Sequence, residues 1–315
     1  MPLKKCLCSG ARDQELEGVV EVWRRADPDG RRAGDVFRRT FDQLYDGQHT
    51  GRYRWDQLFK TEKTHYGTLL EINLRREFDD IIDDGIVLDY SIAGTDVDCK
   101  YSQKEYGWMI PPEAFDQLLL VATADDAAGE WSLGVVRARE TNIRESSNRD
   151  KKTQLNKAGR SAVCWISRKA PLPPNVLLNL PEEDIERIFT PRSGQGRVNN
   201  LLRVAVNQRI GRSAIATVAQ QNDYMKRVRY NGGARSALRS EGYIILGGDF
   251  TLHRDIAEGL GAAVPEAGEF VSVQVVAAEV GDPRAVRLQG TQWRLARTGD
   301  QIRTPAPLLP EIRRF

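Results

Sequence analysis

Asp89, Asp98 and Lys100 are the residues of this sequence best suited to chemistry, in the pattern D-x8-D-C-K. Carboxylate oxygens are the ligands that hard divalent cations such as Mg2+ prefer. Such a cation polarises a phosphate oxygen and lowers the pKa of bound water, and a nearby ammonium stabilises charge that develops during attack on the phosphate. The pattern therefore predicts a metal-plus-lysine site. Because D-x-K alone recurs by chance in charged proteins, the interpretation depends on the surrounding elements.

A β-hairpin must position these residues. Short apolar runs flank Ala93-Gly94, the pattern expected of two strands joined by a two-residue loop. In that register Ile92 faces Thr95, so Asp89 faces Asp98, three residues further along each strand. Since side chains alternate along a strand, Asp98 shares a face with Lys100. Two opposed carboxylates repel, and a cation between them would offset the repulsion. A three-residue loop would shift the register by one and separate them.

The helix before the hairpin offers a third carboxylate. Thr64–Phe78 is predicted helical, and Glu71 stands among three leucines and one isoleucine within it. Because an unpaired buried charge is costly, Glu71 needs a partner. Spacing alone favours a capping box, in which Glu71 bonds the Thr68 amide. The functional alternative makes Glu71 a third ligand of the metal site.

The second half of the chain carries a basic region. Between Arg192 and Ser240 there are ten Lys and Arg but a single acid, Asp223. This could be a solvated basic face, but the near-absence of acids favours a polyanion partner such as nucleic acid. Short helices are predicted at Asp223–Arg229 and Ala234–Glu241, either as a helix-turn-helix or as an ordinary helical hairpin. The candidate DNA-binding residues are Lys226, Arg227, Arg229, Arg235, Ser236 and Arg239.

The fold class follows from the order of these elements. The 315 residues suggest two domains of mixed α/β type. Helices at Asp13–Ala26 and Asp35–Tyr45 and strands at Gln117–Thr123 and Trp131–Val136 predict a mixed sheet flanked by helices. We predict this domain at 1–168, a stiff linker at 169–174 and a second domain at 175–315. Strands after Tyr243 follow the predicted helix-turn-helix, so the second domain is predicted to be a winged helix.

Composition indicates a cytoplasmic protein. Net charge is +2, and no apolar run approaches the length of a membrane span. Met1–Gly10 is too short for a signal peptide. The four cysteines form no C-x-x-C pair. A structural zinc site is not predicted, because the chain offers only Cys6-x-Cys8 and three histidines.

Several long blocks resemble the NaeI family of restriction endonucleases. They include F-D-Q-L-Y-D-G-Q from Phe41, E-I-N-L-R-R-E-F from Glu71, V-D-C-K from Val97 and I-A-T-V-A-Q-Q-N-D-Y-M-K-R-V-R from Ile215. The resemblance runs from about Asp27 to the last strands, and the blocks recur in order. On this resemblance the catalytic residues are Glu71, Asp89, Asp98 and Lys100, the three carboxylates being the metal ligands. It thus favours the functional reading of Glu71.

The resemblance also implies an activity, an oligomeric state and DNA partners. A type IIE enzyme of this kind would be an Mg2+-dependent homodimer that cleaves one double-stranded DNA site and is activated by a second copy bound to its winged-helix domain. A cognate methyltransferase would act on the same site, for which the resemblance suggests GCCGGC. The competing functions are a DNA-binding regulator with a nuclease-like scaffold and a structure-specific repair nuclease. Leu44-Tyr45-Asp46-Gly47 resembles a ligase motif but lacks its lysine, which excludes covalent adenylation there.

Overall fold

The chain folds into two compact units. The structure is a computed structural model that describes residues 13–145, 150–279 and 281–310. One unit comprises the residues up to Leu44 together with Leu58–Pro173, and the other comprises Tyr45–Gln57 together with the chain from Pro174 onward. The inclusion of Tyr45–Gln57 in the second unit was not foreseen from the sequence. Cys6 and Cys8 lie outside the described residues.

The regular elements follow one another in this order. The α-helices are α1 (Gln14–Ala26), α2 (Arg31–Tyr45), α3 (Gly47–Thr50), α4 (Lys60–Glu77), α5 (Lys157–Ser161), α6 (Glu182–Phe189), α7 (Gly194–Val204), α8 (Arg212–Ala219), α9 (Ala234–Ala237) and α10 (Thr251–Leu260). The strands are β1 (Ile82–Asp84), β2 (Tyr90–Ile92), β3 (Thr95–Tyr101), β4 (Leu118–Asp125), β5 (Glu130–Arg137), β6 (Cys164–Pro171), β7 (Arg209–Gly211), β8 (Tyr243–Gly247), β9 (Glu269–Ala277), β10 (Val286–Leu288) and β11 (Thr291–Leu295). Short 3-10 helices lie at Trp55–Gln57, Pro112–Ala114, Glu140–Asn142, Val176–Leu178, Tyr224–Arg227 and Arg239–Glu241.

A mixed sheet forms the core of the first unit. Its strands run in the order β1-β2-β3-β4-β5-β6. Only the β3–β4 pair is parallel among these neighbours. Leu118–Ala124 of β4 is buried at every residue, as expected for a central strand covered on both faces. The predicted mixed α/β class and the strands at Gln117–Thr123 and Trp131–Val136 are thus confirmed. Lys169–Pro171, predicted as linker, instead continue β6 as far as Pro171.

Helices pack against this sheet through their apolar sides. Asp13 caps α1 by accepting a hydrogen bond from the Leu16 amide at 3.2 Å, and Trp23 is fully buried. The helix α4 begins at Lys60, a turn before its predicted start, with Glu62 accepting from the Phe59 amide at 2.8 Å. Thr68 therefore lies inside the helix.

The second unit packs helices beside a smaller sheet. The strand order is β10-β11-β9-β7, and β8 also pairs with β9. Ser213–Ala219, β-branched in part, lies in α8. The two helices predicted at Asp223–Arg229 and Ala234–Glu241 are replaced by the 3-10 segments and the four-residue α9.

A close backbone approach explains the interruption between those segments. A Cβ on Gly233 would lie 2.3 Å from the Arg229 carbonyl oxygen, so only glycine fits this turn.

In the described ranges, no helix combines the length and apolar character that a membrane crossing requires.

Candidate active site

The hairpin of β2 and β3 has the register predicted from the sequence. Ile92 pairs with Thr95, and Tyr90 pairs with Val97. Ala93 and Gly94 form the loop with φ of 53° and 75°, the two left-handed residues that a type I′ turn requires. This turn sets the register of the two strands. Because side chains alternate along a strand, Asp98 and Lys100 occupy the same face of β3.

Asp89 lies just before β2 and meets the middle of β3. Its Oδ2 accepts a hydrogen bond from the Cys99 amide at 2.8 Å. Lys100 Nζ donates to Asp98 Oδ1 at 2.5 Å and to the Cys99 carbonyl at 3.2 Å. The two carboxyl groups and the ammonium therefore form one contiguous cluster.

The cluster is electrostatically strained at Asp98. This residue is only 4% exposed, and no described residue donates a hydrogen bond to its buried Oδ2. Burial and the adjacent Asp89 carboxyl raise the pKa of Asp98 to about 6, against the opposing effect of Lys100. A carboxylate oxygen without a donor, beside a second carboxylate, is an acceptor suited to a cation.

Glu71 approaches the cluster from α4. Burial, and then repulsion from Asp89, raise the pKa of Glu71, whereas attraction from Lys100 lowers it. The Tyr90 hydroxyl donates to the Glu71 carbonyl at 2.7 Å and so ties the helix to β2. The capping box with Thr68 is wrong, because both residues lie in the interior of α4, where amides bond to the preceding turn.

The residues present fit a small hard cation with few protein ligands. Over the described ranges, no group of three or more His, Cys, Asp or Glu side chains is arranged to hold a metal ion. Mg2+ commonly binds one or two carboxylates and completes its shell with water and substrate phosphate. Asp89 and Asp98 are a pair of this kind, and Glu71 lies within electrostatic range of Asp89 without completing a three-residue group.

The segment that leads into Asp89 makes a contact that the sequence did not predict. Ile86 and Val87 are 92% and 77% exposed, and the Asp96 carboxylate accepts from both of their amides, at 3.2 and 3.1 Å. Asp96 thereby fixes the path of the chain immediately before the cluster. Nothing in the local sequence signals this contact, because it joins residues across the hairpin.

Comparison with known proteins bears on what this cluster does. The chain matches the family described as restriction endonuclease NaeI over residues 17–304. The chain belongs to the NaeI restriction endonuclease family. It is also 46% identical over 311 residues to the type II restriction enzyme NaeI of Lentzea aerocolonigenes, with 95% of each chain covered. Membership in the NaeI family makes the chain a site-specific deoxyribonuclease, so the resemblance inferred from the sequence is confirmed.

The second unit of this NaeI-family chain places its candidate DNA-binding residues in different settings. Lys226, Arg229 and Ser236 are exposed. Arg227 pairs with Asp223 at 3.2 Å, and Arg239 donates to the Ala306 carbonyl at 2.6 Å.

Among these six candidates, Arg235 is buried. It is 6% exposed, donates to the Ile245 carbonyl at 3.1 Å and lies 5.5 Å over the Phe250 ring. Arg235 is one of the predicted DNA-binding residues, but in the structure its guanidinium is buried and joins α9 to β8.

Proposed function

We propose that Glu71, Asp89, Asp98 and Lys100 form the catalytic centre of an Mg2+-dependent endonuclease that hydrolyses both strands of duplex DNA at a specific site. The proposal is supported by the family membership and by the hairpin register, which gathers two carboxylates and an ammonium. The observation that most supports the proposal is the buried Asp98 Oδ2. It accepts no hydrogen bond from a described residue, and a cation would compensate for its burial.

Asp89 and Asp98 would hold the cation, and Glu71 would orient its shell. When bound, Mg2+ polarises the scissile phosphate and lowers the pKa of a water molecule near it. Asp98 holds Lys100 Nζ at 2.5 Å, so the ammonium is already oriented before DNA binds. Lys100 would stabilise the negative charge that grows on a phosphate oxygen, and such preorganised charges are effective in sites of low dielectric.

Substitution of Asp98 tests this centre. Asp98→Asn keeps the size of the side chain but removes the charge, and cleavage should fall roughly a thousandfold or more because the cation contributes several kcal/mol. Binding of the same duplex without added metal should be retained. The exposed Glu113→Gln, a matched carboxylate-to-amide change in the same unit, should cut normally.

Two results would count against the proposal. Wild-type protein that never cuts plasmid DNA with Mg2+ would favour the DNA-binding regulator. Equal cutting of DNA regardless of sequence would favour a repair nuclease.

We also propose that the second unit is a winged-helix domain that binds a second copy of the DNA site and activates cleavage in a cytoplasmic homodimer, as in type IIE enzymes. The excess of basic residues between Arg192 and Ser240 supports a polyanion partner. Activation requires that the second DNA bind more tightly to the active state than to the inactive one.

The exposed basic residues provide the test. The double change Lys226→Gln and Arg229→Gln should reduce stimulation by an added cognate duplex and leave unstimulated cleavage unchanged. Arg303→Gln, an exposed change elsewhere in the unit, is the control. Full stimulation of the double variant would remove this surface from the activating site.

A further inference from the structure

A basic pocket lies on the first unit, away from the cluster of Asp89, Asp98 and Lys100. The pocket has a volume of about 580 Å3. Four cationic side chains line it, and no Asp or Glu is among its lining residues in the described chain. The lining residues that matter here are Arg144, Lys157, Arg160, Arg168, Tyr106 and Trp165.

Aromatic rings hold two of the guanidinium groups in place. Arg160 lies 5.3 Å over the Tyr106 ring, and Arg168 lies 5.1 Å over the Trp165 ring. The two rings also pack edge to face, with centroids 6.3 Å apart. This arrangement limits the motion of both cations, so their charges are oriented before any ligand arrives.

The charge of the pocket is only partly compensated. Arg168 pairs with Glu105 at 2.6 Å. The buried Arg160 Nε, by contrast, donates to no described residue. A buried donor without an acceptor costs free energy, and a ligand carrying anionic oxygens would supply the acceptor.

The register of the sheet places the pocket on the catalytic face. Lys100 pairs with Val121, Val121 with Gly134, and Gly134 with Trp165. Residues paired laterally in a sheet point to the same side, so the Trp165 side chain emerges on the face that carries Lys100. Three spacings of about 4.8 Å put the two backbones on the order of 14 Å apart.

We infer that this pocket binds a backbone phosphate of the DNA substrate, a few nucleotides from the scissile phosphate. The inference rests on the family's DNA substrate and on the proposed position of the catalytic centre. A separation on the order of 14 Å corresponds to roughly four steps of the 3.4 Å rise of a DNA strand. Phosphate fits better than an unstacked base, because the guanidinium groups already occupy ring faces on which a base would stack.

Neutralising Arg160 tests the phosphate contact. Arg160→Gln should weaken binding of a duplex carrying the cleavage site about three- to tenfold and lower the slope of log K against log salt by about one. Binding is measured without divalent cation, so that failure here is distinct from failure of the metal-site proposal. Lys157→Gln, at an exposed position, should act in the same direction with less risk to folding. The control is Arg25→Gln, an exposed arginine on α1.

Substitution of the DNA locates the phosphate. A single neutral methylphosphonate placed three to five nucleotides from the cut should weaken binding of the wild type but not of Arg160→Gln. If the methylphosphonate weakens binding of the wild type and of Arg160→Gln equally at every position, the inference is wrong. It is also wrong if Arg160→Gln and Lys157→Gln both keep the wild-type affinity and salt slope. If inorganic phosphate binds the wild type and not Arg160→Gln while DNA affinity stays equal, the pocket holds a free anion and the inference is wrong.

Discussion

The cation of Lys100 is the feature of the candidate centre that a single substitution tests most directly. Its Nζ donates to Asp98 Oδ1 at 2.5 Å, and the residue is half-buried. Lys100→Met keeps the length of the side chain and removes the charge. We expect the rate of cleavage under single-turnover conditions to fall about a hundred- to a thousandfold, the range for loss of one preorganised charge donor.

Lys104→Met is the matched control for that substitution, since Lys104 is exposed and close in sequence. It should leave the rate unchanged. If both variants cleave at the wild-type rate, Lys100 plays no part in the chemistry.

A second residue-scale prediction concerns His253. Burial and the nearby Arg235 guanidinium lower the pKa of His253 from 6.5 to about 4. The unfolded chain therefore takes up this proton at a higher pH than the folded chain. The associated stability is present above about pH 6.5 and is lost as the pH falls toward about 4. At most about 3 kcal/mol of the free energy of unfolding is involved.

The substitution His253→Asn isolates this effect. Its side-chain oxygen can accept from the Gly247 amide, which now donates to His253 Nδ1 at 3.1 Å. Denaturant unfolding between pH 7 and pH 4 should show a shallower loss of stability in the variant than in the wild type. Parallel curves would mean that another group sets the pH dependence.

For single residues, the sequence predicts which side chains share a face of a strand. It does not predict the contacts that tertiary packing creates. The shared face of Asp98 and Lys100 follows from the period of a strand. The approach of Glu71 depends on how α4 packs against β3, so local spacing wrongly favoured a cap. The basic neighbours of Arg235 predict DNA contact, and only the fold reveals its bond to the Ile245 carbonyl.

Among the elements, the β2–β3 turn sets the register that brings the residues of the candidate centre together. One of its two residues, Ala93, is disfavoured in the backbone conformation that the turn requires. Ala93 adopts a φ of 53°, in the left-handed region that favours glycine and asparagine. Ala93→Asn creates the Asn-Gly pair preferred by type I′ turns, so the free energy of unfolding should rise by about 0.5–1 kcal/mol.

Calorimetry or denaturant unfolding checks the turn prediction, and the cleavage rate should not change because the register is retained. Ala93→Val serves as the opposite control, since a β-branched residue is disfavoured at positive φ. A stabilising effect of valine would contradict the proposed origin of the strain.

Element boundaries were the least predictable feature of the second unit. Apolar periodicity correctly predicted helices in the first unit, α1 and α2 among them. It failed between Asp223 and Glu241, where Gly233 must pass close to the Arg229 carbonyl and the chain cannot continue as a helix. Such a contact depends on the path of the backbone and leaves little trace in the sequence pattern.

For the whole molecule, the unpredicted feature is the discontinuous second unit. Tyr53 stacks on Phe189 with centroids 6.3 Å apart, and Asn175 donates to the Tyr53 carbonyl at 3.1 Å. These contacts join segments far apart in sequence, so no local pattern could place Tyr45–Gln57.

The proposed homodimer gives the last prediction, which concerns how two centres divide the work. If each protomer cuts one strand, a dimer of one wild-type and one Asp98→Asn protomer should nick duplex DNA without severing it. Mixed dimers are prepared with different affinity tags and purified on both, and circular plasmid is then followed from supercoiled to open-circular and linear forms. We expect the open-circular form to accumulate, because the remaining centre reaches a single strand per binding event.

The amount of linear product measures that division directly. Homodimers of the wild type should yield linear plasmid with little open-circular intermediate, and homodimers of Asp98→Asn should leave the plasmid supercoiled. Linear DNA formed by mixed dimers as fast as by the wild type would mean that one protomer cuts both strands. Since Asp89, Asp98 and Lys100 come from one hairpin, each protomer carries a full set of these residues, and in the proposed homodimer the second set would cut the opposite strand.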